Sequence, residues 1–373
     1  FRDFSSFDLS EFTKELEYID IHTMLITLKV TNTMYHFFHT SLSLLLDMHA
    51  PLRTKTKTEI KQSKKPWVSE NLLKRIAEKN RLYTCFLKKT DIDALSRYKI
   101  LRNEINHTIR RKKYEYYKNF FEKNRNNVKK CWRGINEILE RKRKHTSPFI
   151  LKKENNEICS NSKEVASIIN SFFVNVAPTL VSKLPKKSVP HYRNYLNNAN
   201  AYSFFSSPIL KEEVNSFLSL LDESKATDIY EFPIKVMKGI KDIIDLPLSY
   251  IINNSFCNGV FPDMLKYARV TPLYKGGEKC EAKNYRPVSI LPIFDKIFEK
   301  VMHKQLMEFL EKHKILTKNQ YGFQKGKNTV HAVIDLVSKK SLSLQNKEKA
   351  HTIFLDFAKA FDTVNHDILL QKL

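Results

Sequence analysis

Apolar residues recur at intervals of three and four along much of this chain, a spacing that predicts amphipathic helices. The longest such stretch covers residues 69–140, which we interpret as two or three helices that begin after a capping residue, Ser69. The apolar stripe there consists of Tyr98, Leu101, Ile105, Ile109, Tyr116, Phe120, Val128, Trp132, Ile135 and Leu139. The same spacing predicts helices after the capping residue Asn161, around 214–221, over about 233–256, over 294–313 and from near Asn365.

Short apolar runs bounded by Gly, Pro or Asn predict strands between these helices. They comprise a hairpin over 149–159, extended segments at 270–274 and 284–291, and a strand that ends at Asp356. Residues 184–206, rich in Lys, Pro, Ser and Asn, are typical of a loop or linker. Five of the seven glycines lie between Gly259 and Gly326, where the backbone must turn tightly or approach a ligand. The pattern predicts an α+β fold.

The composition is that of a folded protein. Of the 373 residues, 42% are hydrophobic and 12% aromatic, which is enough to form cores and excludes general disorder. The five cysteines form no close pair, so they suit neither a disulfide scaffold nor a Cys-rich zinc site. The longest apolar run, around 42–46, ends at Asp47 and is far too short for a membrane helix, so the sequence predicts neither a transmembrane helix nor a signal peptide. We expect an intracellular protein without a membrane partner, not a secreted one, with the nucleus as a candidate compartment.

The positive charge is concentrated in one part of the chain. The formal net charge is +24, and residues 51–150 alone hold 29 Lys and Arg against 10 Asp and Glu, a net +19. Such cations can solvate the outside of a helical bundle or bind an acidic protein, but this density favours a phosphate backbone as the partner. The candidate contacts to a nucleic-acid backbone are Arg102, Arg110, Arg111, Lys112 and Lys113.

Two local features could carry chemistry. Asp356, at the end of its predicted strand, could bind a divalent metal of the kind used in phosphoryl transfer, or it could simply cap a turn. His36 and His39 have the spacing of a metal-binding pair on a helix, but their aromatic neighbours favour an aromatic core or surface patch. No nucleotide-binding glycine-rich loop or nucleophile elbow occurs.

Around Asp356 the chain resembles a known family. The segment FLDFAKAFD at 354–362 is similar to the first catalytic motif of reverse transcriptases from non-LTR retrotransposons of the LINE, jockey or CR1 type. Other segments resemble the family in the same order: KPWVS at 65–69 with the basic helices, GVFP at 259–262, VTPLYKGG at 270–277, NYRPVSIL at 284–291 and QYGFQKGKNT at 320–329. The resemblance implies the fingers and the start of the palm of a right-hand polymerase.

The resemblance also implies roles at the reaction centre. Asp356 matches the catalytic, metal-binding Asp, with the backbone carbonyl of Phe357 nearby and Mg²⁺ as the metal. Phe361 matches a bulky residue that excludes a ribose 2′-hydroxyl, although an ordinary core Phe would look the same. Lys275 and Arg286 match cations that neutralise the incoming triphosphate, with surface salt bridges as the alternative.

A further implied role concerns the template. The segment at 320–329 matches the family's template-contacting segment, in which glycines allow a backbone to approach phosphates, although a solvated loop is the alternative. Its candidate residues are Gln320, Gly322, Lys325, Gly326 and Lys327. The implied partners are an RNA template, a DNA primer and deoxynucleoside triphosphates.

The chain also departs from the family. Asp228 and Tyr230 replace a Gly and an Asp of the family's finger segment, and Asn328 stands where Ser is usual. No Asp-Asp pair occurs in the chain, so the family's second carboxylate motif is missing. We therefore expect an incomplete fragment, inactive by itself, of an RNA-directed DNA polymerase. The alternative is a non-catalytic RNA- or DNA-binding protein derived from such an element.

The resemblance divides the chain into four parts. Residues 1–66 are a weakly assigned segment that would follow an endonuclease, and 67–145 are the basic helical linker. Residues 146–206 are a hairpin, a helix and a loop, and 207–373 are the partial reverse transcriptase domain.

Overall fold

The structure is a computed structural model with an α+β fold dominated by helices, as the sequence predicted. It describes residues 1–54, 56, 59, 65–89, 91–139, 149–153, 157–182, 202–225, 227–357 and 359–372. The basic run at 141–144 and most of the predicted linker at 184–206 lie outside the described residues. The chain forms two compact units, one of residues 1–5 and 50–147 and the other of residues 6–49 and 148–373.

The helices and strands of the described residues have the following bounds. The helices are α1 (Leu9–Ile19), α2 (Ile21–Thr27), α3 (Thr31–His49), α4 (Glu70–Lys89), α5 (Ile92–Lys123), α6 (Val128–Ile138), α7 (Ser162–Ser182), α8 (Lys211–Ser219), α9 (Ile234–Gly239), α10 (Lys241–Asn258), α11 (Asp295–Lys312), α12 (Thr329–Gln345) and α13 (His366–Lys372). The strands are β1 (Leu151–Lys152), β2 (Ile158–Cys159), β3 (Arg269–Tyr274) and β4 (Tyr285–Ile290). They form two separate antiparallel pairs, β1 with β2 and β3 with β4.

The first unit is a helical hairpin of α4 and α5 followed by α6. Its core is small: Leu72, Ala94, Ile105 and Tyr117 are buried between the helices. Gly134 lets α6 pack closely on the end of α5, because a Cβ there would lie 2.7 Å from the ring of Phe120. The prediction of two or three basic amphipathic helices over 69–140 is confirmed, with three helices in the described part of this stretch.

The second unit has a larger core built from helices far apart in sequence. In it, α3 packs against α1, α2 and α10, and α10 packs in turn against α8. The fully buried side chains of this core include Phe12, Leu16, Phe38, Leu42, Leu46, Val214, Leu218, Ile244, Leu248, Ile251, Phe294, Ile297 and Phe298. His39 is one of the few buried polar residues here, with its ring 4.4 Å from that of Tyr230 and 5.1 Å from that of Phe232. The interpretation of His36 and His39 as part of an aromatic core is therefore confirmed for His39.

A smaller core joins the two strand pairs to α7. Leu151, Cys159, Val165 and Ile169 are buried together with Tyr285 of β4. Asn161 caps α7 as predicted, because its Oδ1 accepts hydrogen bonds from the backbone N–H groups of residues 163 and 164 at 2.9 and 3.3 Å. Tyr285 thus anchors one face of the β3–β4 pair and leaves the other face exposed.

Two predicted elements differ from the structure. The helix expected over 233–256 is two helices, because the backbone leaves the helical path at Ile240 (φ −107°, ψ 12°). The strand expected to end at Asp356 is wrong: residues 351–357 are in an irregular, exposed conformation. A strand needs a hydrogen-bonded neighbour, and none of the described strands pairs with this segment.

Within the described part of the chain, one helix is long and apolar enough to cross a membrane by length and composition alone. It is α7, with 21 residues and a mean hydropathy of 1.5. The sequence analysis missed it because Asn170, Ser171 and Asn175 interrupt its apolar run. Val165 and Ile169 at its start are buried against the strand hairpin, and the other described side chains of α7 are exposed or partly exposed.

A buried carboxylate in the second unit gives a pH-dependent prediction. Asp295, at the start of α11, is 3% exposed, and its Oδ2 has no hydrogen-bond partner among the described residues. Burial, with a smaller effect of Glu299, raises the pKa of Asp295 to about 7 from 3.8. The folded state therefore holds this proton more tightly than the unfolded state. The resulting stabilisation is complete below about pH 4 and is lost as the pH rises through 7.

Asp295→Asn should therefore stabilise the second unit more at pH 8 than at pH 5, with a difference of about 2 kcal/mol between the two pH values. Urea unfolding at the two pH values measures this difference. Burial also lowers the pKa of His39 to about 4, which costs stability as the pH falls below 6.5, but this effect is common to both proteins and cancels. An equal effect of the substitution at both pH values would contradict the prediction.

Candidate functional site

The β3–β4 hairpin carries two of the predicted site residues on one face. Leu273 pairs with Arg286 across the hairpin, and the backbone N–H of Lys275 donates to the carbonyl of Asn284 at 2.8 Å. Side chains alternate between the two faces of a strand, so Lys275 and Arg286 are diagonal neighbours on the same face. Tyr285, which precedes Arg286 on β4, has its side chain on the opposite face, where it packs in the small core. The hairpin therefore presents both cations to solvent together.

These two cations have no internal counterion. Both side chains are exposed, and no carboxylate among the described residues lies within 4.0 Å of either. The nearby acidic residues Glu278 and Glu281 pair instead with Lys152, at 3.4 Å, and Lys283, at 3.0 Å. The alternative of surface salt bridges for Lys275 and Arg286 is thus not supported, and the pair is available to an anion.

A turn at 227–230 holds the base of this hairpin, and sequence analysis had noted it only as a departure from the family. The carboxylate of buried Asp228 accepts hydrogen bonds from the backbone N–H groups of Tyr230, at 3.0 Å, and of Ile293, just after β4, at 2.7 Å. Arg269, the first residue of β3, donates to the carbonyl of Thr227 at 2.6 Å. The turn therefore holds both strands at the base of the hairpin, the start of β3 and the chain just after β4.

The Tyr230 side chain adds a third connection from the same turn. Its hydroxyl donates to the carbonyl of Met264 at 2.7 Å, in the short 3₁₀ turn Asp263–Lys266 that precedes β3. The only sequence signal for this role was the presence of an Asp and a Tyr between two apolar segments, and a propensity argument does not identify their distant partners.

The predicted template segment forms a self-bonded loop. Gln320 donates to the carbonyl of Gly322 at 3.1 Å, and Gly326 has a positive φ of 75°, which favours glycine. The Nζ of Lys327 donates to the carbonyls of residues 318 and 320, at 2.6 and 3.0 Å, and lies 5.4 Å from the ring centre of Tyr321. Lys327 therefore shapes the loop, whereas Lys325 is exposed without a partner among the described residues.

The template segment leads directly into α12, and a capping residue marks where this helix begins. Asn328, which stands where the family usually has Ser, accepts a hydrogen bond at 3.1 Å from the backbone N–H of His331 and begins α12. Asn and Ser cap helices about equally well, so this departure conserves the local structure.

The structure places Phe361 against the template segment. Its ring lies 5.9 Å from that of Phe323, edge to face, and both side chains are largely exposed, at 79% and 88%. Phe361 is therefore not an ordinary core residue. Asp356 and Phe357 are also exposed, and no hydrogen bond or ion pair joins Asp356 to another described residue. The structure thus brings together Lys275 with Arg286, and Phe361 with the template segment, but adds no partner to Asp356.

Asp356 by itself fits only part of a metal site. Its carboxylate is the hard oxygen ligand that Mg²⁺ prefers, and it is accessible. Among the residues that the structure describes, no group of three or more His, Cys, Asp or Glu side chains could hold a metal ion. The described residues do not amount to a full ligand set, so no metal-dependent step follows from them.

Comparison with known proteins adds the family relationship. Residues 274–373 match the family described as reverse transcriptase (RNA-dependent DNA polymerase). This part of the chain is therefore similar in sequence to reverse transcriptases. The match begins at the end of β3 and includes Arg286, the template segment, Asp356 and Phe361.

Curated relatives extend this reverse transcriptase relationship upstream and give it a type. The probable RNA-directed DNA polymerase from transposon BS of Drosophila melanogaster is 27% identical over 221 residues, which are 58% of this chain and 24% of the relative. The RNA-directed DNA polymerase from mobile element jockey of the same species is 29% identical over 189 residues, or 50% of this chain and 21% of the relative. The similarity is thus to a jockey-like, non-LTR reverse transcriptase, and the chain spans about a quarter or less of the length of these relatives.

The predicted contacts to a nucleic-acid backbone lie in the first unit, outside the segment that matches the reverse transcriptase family. They differ in the neighbours that their side chains contact. Lys112 donates to the Oγ of Ser69 at 2.8 Å, and Lys113 lies over the ring of Trp67 at 5.5 Å. Arg102 bonds the side chain of Asn103 and lies 5.8 Å from the ring centre of Tyr98. Arg110 and Arg111 are exposed, and only Arg111 has an acidic neighbour, at 3.9 Å.

Proposed function

We propose that this chain is part of an RNA-directed DNA polymerase of a jockey-like, non-LTR retrotransposon. The observation that carries the proposal is the exposed, unpaired pair Lys275 and Arg286 on one face of the β3–β4 hairpin, in the motif order of the family. The proposed division is a basic linker at 67–145, a hairpin, helix and loop at 146–206, and fingers with the first palm motif at 207–373. The segment at 1–66 precedes the linker.

Each site residue has a proposed role. Lys275 and Arg286 bind the phosphates of a deoxynucleoside triphosphate, since two adjacent cations without counterions suit a polyanion. Phe361 lies beside the sugar, and Phe323 supports its ring. Asp356 and the carbonyl of Phe357 contribute to a Mg²⁺ site, and that ion supplies charge neutralisation during nucleotidyl transfer.

The proposed substrates are an RNA template and a DNA primer together with the triphosphates. Lys325 contacts template phosphates, whereas Gln320, Gly322, Gly326 and Lys327 give the loop its shape. The proposed setting is intracellular, where both nucleic acids are present.

A second candidate function rests on the absence of an Asp-Asp pair from the sequence. A protein derived from such an element could keep the basic helices and the hairpin for nucleic-acid binding without catalysis. Nucleotide binding distinguishes the two functions, because only a polymerase site needs the triphosphate.

A binding experiment tests the polymerase proposal. The full chain, titrated with a fluorescent deoxynucleoside triphosphate in the presence of an RNA–DNA primer duplex, should bind it, and Lys275→Gln with Arg286→Gln should weaken binding at least tenfold. The control is Lys283→Gln, which removes an exposed cation of the same hairpin region that is paired with Glu281. Equal binding by the double variant and the wild type would contradict the proposed site and favour the second function.

Primer extension provides an independent readout. We expect no extension by the 373-residue chain, because the two-metal site of the family needs a second carboxylate locus. Extension by the wild type that is lost in Asp356→Asn would contradict this expectation and would show that another carboxylate of the chain completes the site.

A further inference from the structure

The outer face of α5 carries a continuous stripe of hydrogen-bond donors. Its members are spaced by three or four residues, so they lie on one side of the helix, and all are exposed. This outer stripe consists of Lys99, Asn103, His107, Arg110, Tyr114 and Lys118. It extends over about 28 Å at about 1.5 Å per residue. No acidic residue belongs to it. It lies on the side of the helix away from buried Ala94 and Ile105, and the third buried residue of α5, Tyr117, borders its C-terminal part.

The cations of the stripe have no counterion, in contrast to three other cations of the same unit. Lys74, Arg97 and Arg133 each pair with a carboxylate one helical turn away, at 3.0–3.6 Å. For Lys99, Arg110 and Lys118, no carboxylate lies within 4.0 Å in the part of the unit that the structure describes. The acidic residues of α5 are thus placed off the stripe, which leaves an uncompensated line of positive charge.

Tyr114 is an aromatic side chain within this line of charge. It is 70% exposed, and no other described ring packs against it, whereas Tyr116, Tyr117, Phe120 and Phe121 form a contiguous cluster of rings. Arg110 and Lys118 lie one turn before and after Tyr114 on the same face. An unpartnered ring between two unpaired cations can stack on a base while the cations bind the flanking phosphates.

We propose that the outer stripe of α5 binds single-stranded RNA. A single strand fits because its bases are free to stack on Tyr114, while a duplex would use only the cations. RNA fits better than DNA because two further members of the stripe, Asn103 and His107, can hydrogen-bond a ribose 2′-hydroxyl. This inference concerns the first unit and does not depend on nucleotide binding or polymerisation by the second.

The experiment measures binding of the full chain to a fluorescent 20-nucleotide RNA without secondary structure, as a function of salt. The variant Lys99→Gln, Arg110→Gln, Lys118→Gln should bind at least tenfold more weakly, and its plot of log affinity against log salt should be shallower by about 2. Tyr114→Ala should weaken binding roughly tenfold, and Tyr114→Phe should retain binding because the ring is kept. All four positions are exposed, and circular dichroism confirms that the helices are retained.

The matched control is Lys74→Gln, Arg97→Gln, Arg133→Gln, which removes the same charge from the same unit at positions that are already paired. Tyr18→Ala, a tyrosine 93% exposed in the other unit, controls for loss of a surface ring. Equal loss in the two triple variants would mean that net charge alone matters and would overturn the stripe. Tighter binding to duplex RNA or to single-stranded DNA of the same sequence, or full binding by Tyr114→Ala, would overturn the proposed ligand.

Discussion

Phe294→Ala is expected to destabilise the second unit by about 3–5 kcal/mol, the usual cost of removing a fully buried Phe side chain. Phe294 is 0% exposed and lies at the start of α11. Its ring contacts two others edge to face, that of Phe38 in α3 at 5.1 Å and that of Phe232 before α9 at 5.7 Å. Deleting the ring leaves a cavity where three separate segments meet, and the surrounding rigid helices can fill it only in part.

Denaturant unfolding followed by hydrogen exchange of peptides from each unit measures this loss. The midpoint for the second unit should fall, while peptides from α4 and α5 keep their protection, because Phe294 belongs to the other unit. Phe205→Ala is the matched control, since that ring is 84% exposed and its removal should cost little. A similar loss for both substitutions would show that Phe294 does not organise this core.

The contacts of Phe294 also explain why residues 1–66 were only weakly assigned from the sequence and why 6–49 were not predicted to belong to the second unit. Apolar spacing identifies a buried face but not the face that packs against it. In the structure, Thr31 donates to the side chain of Asn254 at 2.7 Å, and Asn32 donates to Asp263 at 2.9 Å. These contacts join residues more than 220 positions apart, and each involves common polar residues with no local signal.

Sequence signals predicted the structure well at positions where hydrogen bonds between residues close in sequence determine it. Asn161 was predicted to cap a helix, and a helix was predicted to begin near Asn365. In the structure the side chain of each residue accepts a hydrogen bond from a backbone N–H of the helix that follows. The prediction of a strand at 351–356 was wrong. An apolar strand needs a surface that buries its side chains and a second strand that pairs with its backbone, and the composition of the segment identifies neither neighbour. Phe354 and Leu355 are 81% and 80% exposed in the described structure.

The candidate site was predicted residue by residue from motif resemblance, and the structure adds which residues lie together. The alternation of side chains along β3 and β4 puts Lys275 and Arg286 on one face once the register is known. Register depends on the turn and on the burial of Tyr285, which is set by its contact with the strand hairpin at 151–159. A single strand read from sequence gives the alternation but not the register.

The turn that supports this hairpin leads to the second large effect. Asp228→Ala is expected to destabilise the second unit by about 3 kcal/mol, because it removes the acceptor for two backbone N–H groups, one of them fully buried at Ile293. A buried donor without an acceptor costs about 1–3 kcal/mol, and hydrogen bonds to a charged group are stronger than neutral ones. Asp228→Asn should lose less, since an amide keeps one acceptor oxygen but presents an NH₂ group to the other N–H.

Asp222→Ala is the matched control for this prediction. Asp222 is an exposed residue of the same loop whose carboxylate accepts one local hydrogen bond, at 2.9 Å, from the backbone N–H of Ser224. Its removal should change stability by less than about 1 kcal/mol. Because the carboxylate of Asp228 holds the chain just after β4, its loss should also weaken triphosphate binding through Lys275 and Arg286, which keep their own side chains. Hydrogen exchange should then rise first in β4 and at 291–294, and unchanged protection there would show that the hairpin is held by its small core and not by the turn.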